Sequence, residues 1–381
     1  MTINISSTST ITNILRHHKD TIRKADMPEM SEWRRDTPSS TIYRRIVSRK
    51  LLAILLAITA LLLTLFVDIM TGPALLPMHT VVQAIFQPAH IANPAIVTIV
   101  NVLRLPTAVM AVVVGASLGM AGAQMQTILS NPLASPYTLG VAAAASFGAA
   151  LAMLAGKFIT SIPGPYLIPL FAFIFALLAT LGISAVARLK GGASETIILA
   201  GIALAYLFSA LLSFLQYLAG EQLSAIVFWM FGSMSGANWS TVGLVSLVLL
   251  ITFALMSSDA WKLTALKLGD NKATSLGVNV AGLRLKTMAL VSLVTATAIC
   301  FVGTIGFIGL VAPHLARRCA GEDQRFFLPF SILIGALLLS AASVLSKTLV
   351  PHISIPIGIM TSLIGIPFLL VIVLRRKSVQ T

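Results

Sequence analysis

"NPLASPYTLGVAAAASFGAA", residues 131–150, sets an asparagine, a serine and two prolines directly before a run of alanine and glycine. It lies in the middle of a 381-residue chain that is 57% hydrophobic and 10% charged, against about 25% charged in an average soluble domain. That composition predicts an all-α, polytopic membrane protein. In lipid, leucine gains little by packing on leucine, so helices associate where small residues allow close backbone approach. Gly140, Ala142, Ala145, Gly148 and Ala149 make a nearly smooth helix that neighbours can press against, and "GASLGMAGA" at 115–123 has the same character. Pro132 and Pro136 keep these two spans from merging, while Asn131 and Ser135 can cap the freed backbone groups. Irregular backbone at membrane depth is tolerated only inside protein or beside water. The third span is therefore expected to be central and shielded from lipid, as a conduit or its scaffold, with tight packing alone the plainer reading.

A crossing helix needs about 20 apolar residues. On that measure the sequence gives about ten spans, near 51–70, 105–128, 137–155, 165–187, 195–218, 240–257, 284–303, 307–319, 327–349 and 356–374, the eighth too short to cross unaided. Between the fifth and sixth, "GEQLSAIVFWMFGSMSGANW" suits a short interfacial or re-entrant helix. Lys and Arg collect before the first span and after the fourth, sixth, eighth and tenth, which places both termini in the cytoplasm by the positive-inside rule. The opposite loops hold only Arg104, Lys157 and Lys347.

Residues 1–50 carry ten of the 26 basic residues. The net charge of +14 thus reflects membrane orientation, and no groove-sized basic patch for nucleic acid is present. No cleavable signal peptide is visible, because the apolar runs begin only at Leu51. Residues 1–45 form a cytoplasmic N-terminal extension, either solvated and disordered or lying on lipid through the face of Ile11, Ile14, Leu15 and Ile22; residues 46–377 form the transmembrane domain. Cys300 and Cys319 are too few for a disulfide framework or a zinc site.

The residues give no sign of covalent chemistry. Ser117 matches the G-x-S-x-G pattern, but that nucleophile elbow needs a strand-to-helix turn, and here the match lies within an apolar span. An intramembrane protease using Ser117 and His314 is disfavoured against helix packing. The chain lacks a phosphate-binding G-x-x-x-x-G-K-[ST] loop and a metal-ligating cluster, so ATP-driven work would need a partner. Proton coupling would want an intramembrane acid, and Asp68 stands alone near the outer end of the first span. Residues 258–280 read as two short amphipathic helices joined at "LGD". Docking on a protein and lying on the membrane fit that pattern equally.

"LRLPTAVMAVVVGASLGMAGAQMQTILSNPLASPYTLGVAAAASFGAA" (103–150), "LKLGDNKATSLGVNV" (266–280), "GTIGFIGLVAPHLARRCAGEDQRFFLPFSILIGALLLSAASVLSK" (303–347) and "IPIGIMTSLIGIPFLLVIVLRR" (355–376) closely resemble the FecCD family. Its members are permease subunits of importers for iron-siderophores, haem and vitamin B12. The resemblance implies a type II ABC importer permease fold and a second permease copy, identical or a paralogue. It also implies cytoplasmic ATPase subunits that hold ATP-Mg, a periplasmic binding protein, and no cofactor in this chain. It implies coupling helices at 258–280, with Leu268, Gly269, Ala273, Leu276 and Gly277 packed on the ATPase and Lys267, Asp270 and Lys272 around the rim. Arg104 and Lys347 would receive the binding protein's carboxylates. The fifth and tenth spans would line the pathway, through Tyr206, Ser209, Ser213, Gln216, Met360, Ser362 and Ile366, with Gly201 and Gly358 leaving width. Three departures from the family pattern stand out: Thr107 for the second Arg of R-L-P-R, Ser354 for Glu in E-L-P-x-G, and Gln324 for His in G-x-D-H-R. A ferric siderophore is the first expectation for the cargo, followed by haem and cobalamin.

Overall fold

The computed structural model describes residues 38–375 except 73, 75, 157, 159–161, 192 and 351–352; it describes no side chain before residue 47. The readings made for residues 1–37 and Lys157 lie outside those residues. Among the described residues the chain is helical, with one isolated bridge between Val350 and Ile353. In order the helices are α1 (Pro38–Met70), α2 (Met78–Phe86), α3 (Pro94–Ile128), α4 (Val141–Ala155), α5 (Gly164–Leu189), α6 (Ser194–Leu218), α7 (Leu223–Met230), α8 (Trp239–Ser258), α9 (Ala260–Leu266), α10 (Asp270–Ser275), α11 (Val280–Val302), α12 (Ile308–Ala320), α13 (Gln324–Thr348) and α14 (Ile357–Arg375).

Seven of these are long and apolar enough to cross a membrane: α1 from Val47, α3, α5, α6, α8, α11 and α13. The shorter α4, α12 and α14 fall where the remaining three spans were expected, and α7 is the short helix expected between the fifth and sixth. Val350 to Pro356 separates α13 from α14 and returns a bond from Ile355 N to Ser346 O at 2.9 Å.

Small residues set the packing. Gly115 and Gly119 of α3 lie against Gly335 of α13 so closely that a Cβ on Gly335 would meet the carbonyl oxygen of Gly115 and stand 2.9 Å from Gly119 Cα. A Cβ on Gly122 would strike the carbonyl of Gly309 in α12. From Val114 to Ile128 every residue of α3 is buried, so α3 is as central as α4. Helix α4 is enclosed in its turn, with Gly148 against the backbone of Phe171. In the connection before α4, Asn131 Oδ1 accepts from Leu133 N at 2.9 Å and Ser135 Oγ from Thr138 N at 3.2 Å. The irregular stretch thus satisfies its own backbone. Gly140, at φ +81, lets that turn close against Ala205, a conformation only glycine adopts without strain.

Candidate coupling surface and outer cavity

The segment between α8 and α11 folds as the two short helices expected. Leu263, Ala265 and Leu266 turn the apolar side of α9 inward. The chain then reverses through Gly269 at φ +97 and leaves α10 through Gly277 at φ +83. Between these glycines Ala273 is fully buried, and just past them Val278 is 3% exposed. Leu268 and Leu276 remain 58% and 57% exposed, two large apolar side chains on the elbow, with Trp261 of α9 49% exposed as well. Gly269, Asp270, Lys272 and Gly277 are exposed beside them. One assignment is corrected. Ala273 faces the chain's own core, because a helix of six residues needs an internal anchor. Lys267 is drawn back into an ion pair with Glu322 at 3.2 Å. Burial holds the Lys267 ammonium below its ordinary pKa, with Glu322 opposing and nearby Arg317 reinforcing that shift.

Asp259 starts the elbow. Its carboxylate is buried between Lys262 Nζ at 2.7 Å and Lys286 Nζ at 2.5 Å. Burial by itself would raise its pKa, but the hydrogen bonds and charges of the two lysines outweigh that and hold it below the usual carboxylate value. A depressed folded pKa adds stability above the unfolded value, about 4, and loses it as pH falls through the folded pKa. Thermal melts of the purified chain from pH 6 downward should therefore show a steeper acid-side decline in the native chain than in Asp259→Asn. Parallel declines would refute the effect.

At the other end, Arg104 closes a π-helical turn, Ile99–Arg104, inside α3. It is 6% exposed and donates to the carbonyls of Ile69 (3.3 Å), Met70 (3.0 Å) and Ala74. Gly72 passes so near that a Cβ there would sit 2.9 Å from the guanidinium Nε. Lys347, with a side chain 12% exposed, pairs at 2.8 Å with Asp68, which is fully buried and also accepts from Ser343 Oγ at 3.0 Å through both carboxylate oxygens. Asp68 thus does not stand alone, and Arg104 and Lys347 are not free on a surface. In a span, a charge is costly unless a partner is near, and each finds one within the chain. A cavity of about 840 Å³ opens beside them; Arg104, Lys347, Ser343, Thr107, Ser354 and Trp229 are among its lining residues. Two of the three departures from the family pattern, Thr107 and Ser354, therefore border this cavity.

The residues expected along the pathway divide. On α6, Tyr206 is 75% exposed and Ser209 and Ser213 are exposed as well, while Gln216 Nε2 donates to Met230 S at 3.3 Å. On α14, Ile366 is 49% exposed and Ser362 Oγ is held by Gly358 O at 2.8 Å. Met360 is a correction: it is 4% exposed and packs in a core with Met110, Val114 and Ile308. Gly201 and Gly358 are corrected too. They allow contact rather than width, Gly201 against Leu139 and Gly358 against the carbonyls of Phe231 and Thr304. Ser117 is fully buried in α3 and donates to Val113 O at 2.8 Å, which fits helix packing and leaves no elbow geometry for a nucleophile.

Sequence reading passed over Arg284 and left Gln324 without a role. Arg284, 6% exposed, grips Asp270 with both terminal nitrogens at 2.8 and 2.9 Å, and its Nε donates to Ile128 O at 2.8 Å. Gln324, 1% exposed, joins Gln124, Thr127 and Thr264. The only local signal was charge or amide next to apolar sequence, which does not reveal such partners.

Compared with known proteins, residues 60–375 match the FecCD transport family. The Fe(3+)-citrate import system permease protein YfmE of Bacillus subtilis is 34% identical over 84% of this chain and 94% of its own. The hemin transport system permease protein HmuU of Yersinia pestis is 37% identical over 72% of this chain and 83% of its own. Among solved structures, a metal-chelate type ABC transporter in an inward-facing conformation superposes with a TM-score of 0.73 at 29% identity, covering 85% of this chain and 99% of that one.

Proposed function

The chain belongs to the FecCD transport family as the membrane-spanning permease of an ABC importer, and from that premise we propose that its cargo is an iron chelate, with a ferric siderophore first. The cargo passes from a periplasmic binding protein to the cytoplasm of a bacterial cell, across the inner membrane, with both termini cytoplasmic. A second permease copy, identical or a paralogue, completes the pathway. The YfmE likeness over nearly that protein's whole length and the likeness to a metal-chelate transporter support an iron chelate. Haem is the second reading, favoured by the HmuU likeness.

The observation that carries the mechanism is the elbow. Leu268 and Leu276 are large apolar groups held in the open beside two positive-φ glycines on a polytopic body. Exposed apolar anchors of that kind suit a protein groove. The elbow receives the closure of a separate ATPase, which binds ATP-Mg, and passes it to the spans, so that outer and inner mouths open in turn. The permease itself makes and breaks no covalent bond.

In proteoliposomes holding the chain, the ATPase that co-purifies with it and the binding protein, Leu268→Asp with Leu276→Asp should cut ATPase recovery and ferric-siderophore uptake about tenfold or more, as loss of two anchor residues implies. Uptake of any of the three cargo classes by the chain without nucleotide would overturn the ATP-driven reading. Uptake of haem or cobalamin in place of ferric siderophore would overturn the cargo assignment alone.

A further inference from the structure

The elbow is not merely appended to the spans. Three polar links leave it, and all three end on the last turn and a half of α3, between Gln124 and Ile128.

The first link runs through Arg284 at the start of α11. One guanidinium holds both carboxylate oxygens of Asp270, the first residue of α10, and the Ile128 carbonyl at the end of α3. The second runs through Gln324, the first residue of α13. Its backbone N–H donates to Thr264 Oγ1 of α9 at 3.2 Å, its Nε2 donates to Thr127 Oγ1 at 2.8 Å, and its Oε1 accepts from Gln124 Nε2 at 3.0 Å. The third passes from Lys267, at the end of α9, to Glu322 by an ion pair at 3.2 Å, from Glu322 to Arg317 Nε by an ion pair at 2.7 Å that lacks hydrogen-bond alignment, and from Arg317 Nη2 to Gln126 Oε1 by a hydrogen bond at 3.1 Å. Gln126 Nε2 continues to the Leu310 carbonyl in α12 at 3.4 Å.

α3 is also the helix whose glycines lock it to α12 and α13. A displacement delivered at its Ile128 end is thus carried into the packed centre rather than absorbed in a loop. Bidentate guanidinium and buried amide contacts fix direction as well as distance. A hydrophobic docking alone would let the elbow slide. The joint also holds an unpartnered buried acceptor, Gln124 Oε1.

We propose that Arg284, Gln324 and the Lys267–Glu322–Arg317 chain are the positioning residues that convert movement of the elbow into movement of α3. They act as parallel ties between ATPase docking and the opening of the pathway. This deepens the proposed importer function and rests on it. It also gives a role to Gln324, the third departure from the family pattern: its amide donates to Thr127 while accepting from Gln124.

The test uses the assembled complex in proteoliposomes, with ATP hydrolysis, ferric-siderophore uptake, the amount of bound ATPase and the thermal midpoint measured together. Arg284→Gln and Gln324→Leu should each lower uptake per ATP hydrolysed, by about tenfold, the upper part of what network substitutions change. ATPase should remain bound and hydrolysing. Arg284→Lys, which keeps the charge but cannot span three acceptors, should fall between Gln and the native residue. The double substitution should lose more than either single. Glu322→Gln cuts the third link at a residue whose side chain is 49% exposed, so it gives a folded readout should a buried variant fail to assemble. Native uptake per ATP in the assembled variants would overturn the joint while leaving the importer reading intact. A loss that only tracks the thermal midpoint or the amount of bound ATPase would overturn it as well. Failure of the native chain to bind an ATPase at all would instead sink the importer reading.

Discussion

Asp68→Ala by itself should be among the most damaging substitutions in the chain, and adding a change at Lys347 should repair most of the damage. In the native protein the fully buried Asp68 carboxylate faces Lys347 at 2.8 Å and accepts one bifurcated bond from the Ser343 hydroxyl. Removing one member of a buried ion pair leaves the other charge uncompensated and costs about 3–5 kcal/mol, whereas replacing both members with apolar groups of similar volume is often neutral. Asp68→Ala should therefore lower the thermal midpoint in detergent and the folded yield sharply. Asp68→Leu with Lys347→Met should recover close to the native midpoint. The rival account lets the Lys347 ammonium snorkel outward once its partner is gone. In that case Asp68→Ala would cost little and the double variant would gain nothing, a pattern that refutes the buried pair. The same cycle bears on proton coupling: intact ATP-driven uptake in the apolar double variant removes Asp68 as an obligatory proton carrier.

The pair shows where a one-dimensional reading stops. The span pattern was legible because a crossing helix must write about 20 apolar residues into the sequence. Seven helices answer it directly, and α4, α12 and α14 occupy the places left over. The elbow was legible for a similar reason, since "LGD" interrupts an amphipathic run and Gly269 takes the positive φ that the reversal needs. What each side chain faces was not legible. Arg104 and Lys347 stood out by scarcity in the outer loops, yet scarcity cannot separate a cation presented to a partner from one drawn inward to carbonyls and a carboxylate. Met360 and Ala273 carry no mark of which side of their helix is turned to the core. The ties beneath the elbow are further out of reach, because Gln124 and Gln324 are 200 positions apart and their meeting is a product of the α3–α13 packing.

That packing supports the second large effect, at Gly335. Even Gly335→Ala should be costly, because its Cβ would press on the Gly115 carbonyl and on Gly119 Cα, all of it backbone that cannot rotate away. Gly335→Leu should be worse. Overpacking of a close-packed core costs about 1–3 kcal/mol and sometimes more, and membrane helices rely on just such small-residue contacts for association. Gly243 of α8 supplies the control: apart from its own helix backbone and chain neighbours, no atom lies within 4 Å of a Cβ built there, and it has no positive φ. Gly243→Ala should therefore hold the native midpoint, while Gly335→Ala lowers it. Equal midpoints for the two alanine variants would mean that α3 and α13 are not held at backbone distance. Function should respond beyond stability, because α3 carries at its Ile128 end the ties from Arg284 and Gln324. A wedge that tilts α3 away from α13 also draws Thr127 and Gln124 away from Gln324. In a Gly335→Ala chain that still inserts and still binds its ATPase, uptake per ATP should fall further than in any destabilised variant remote from α3.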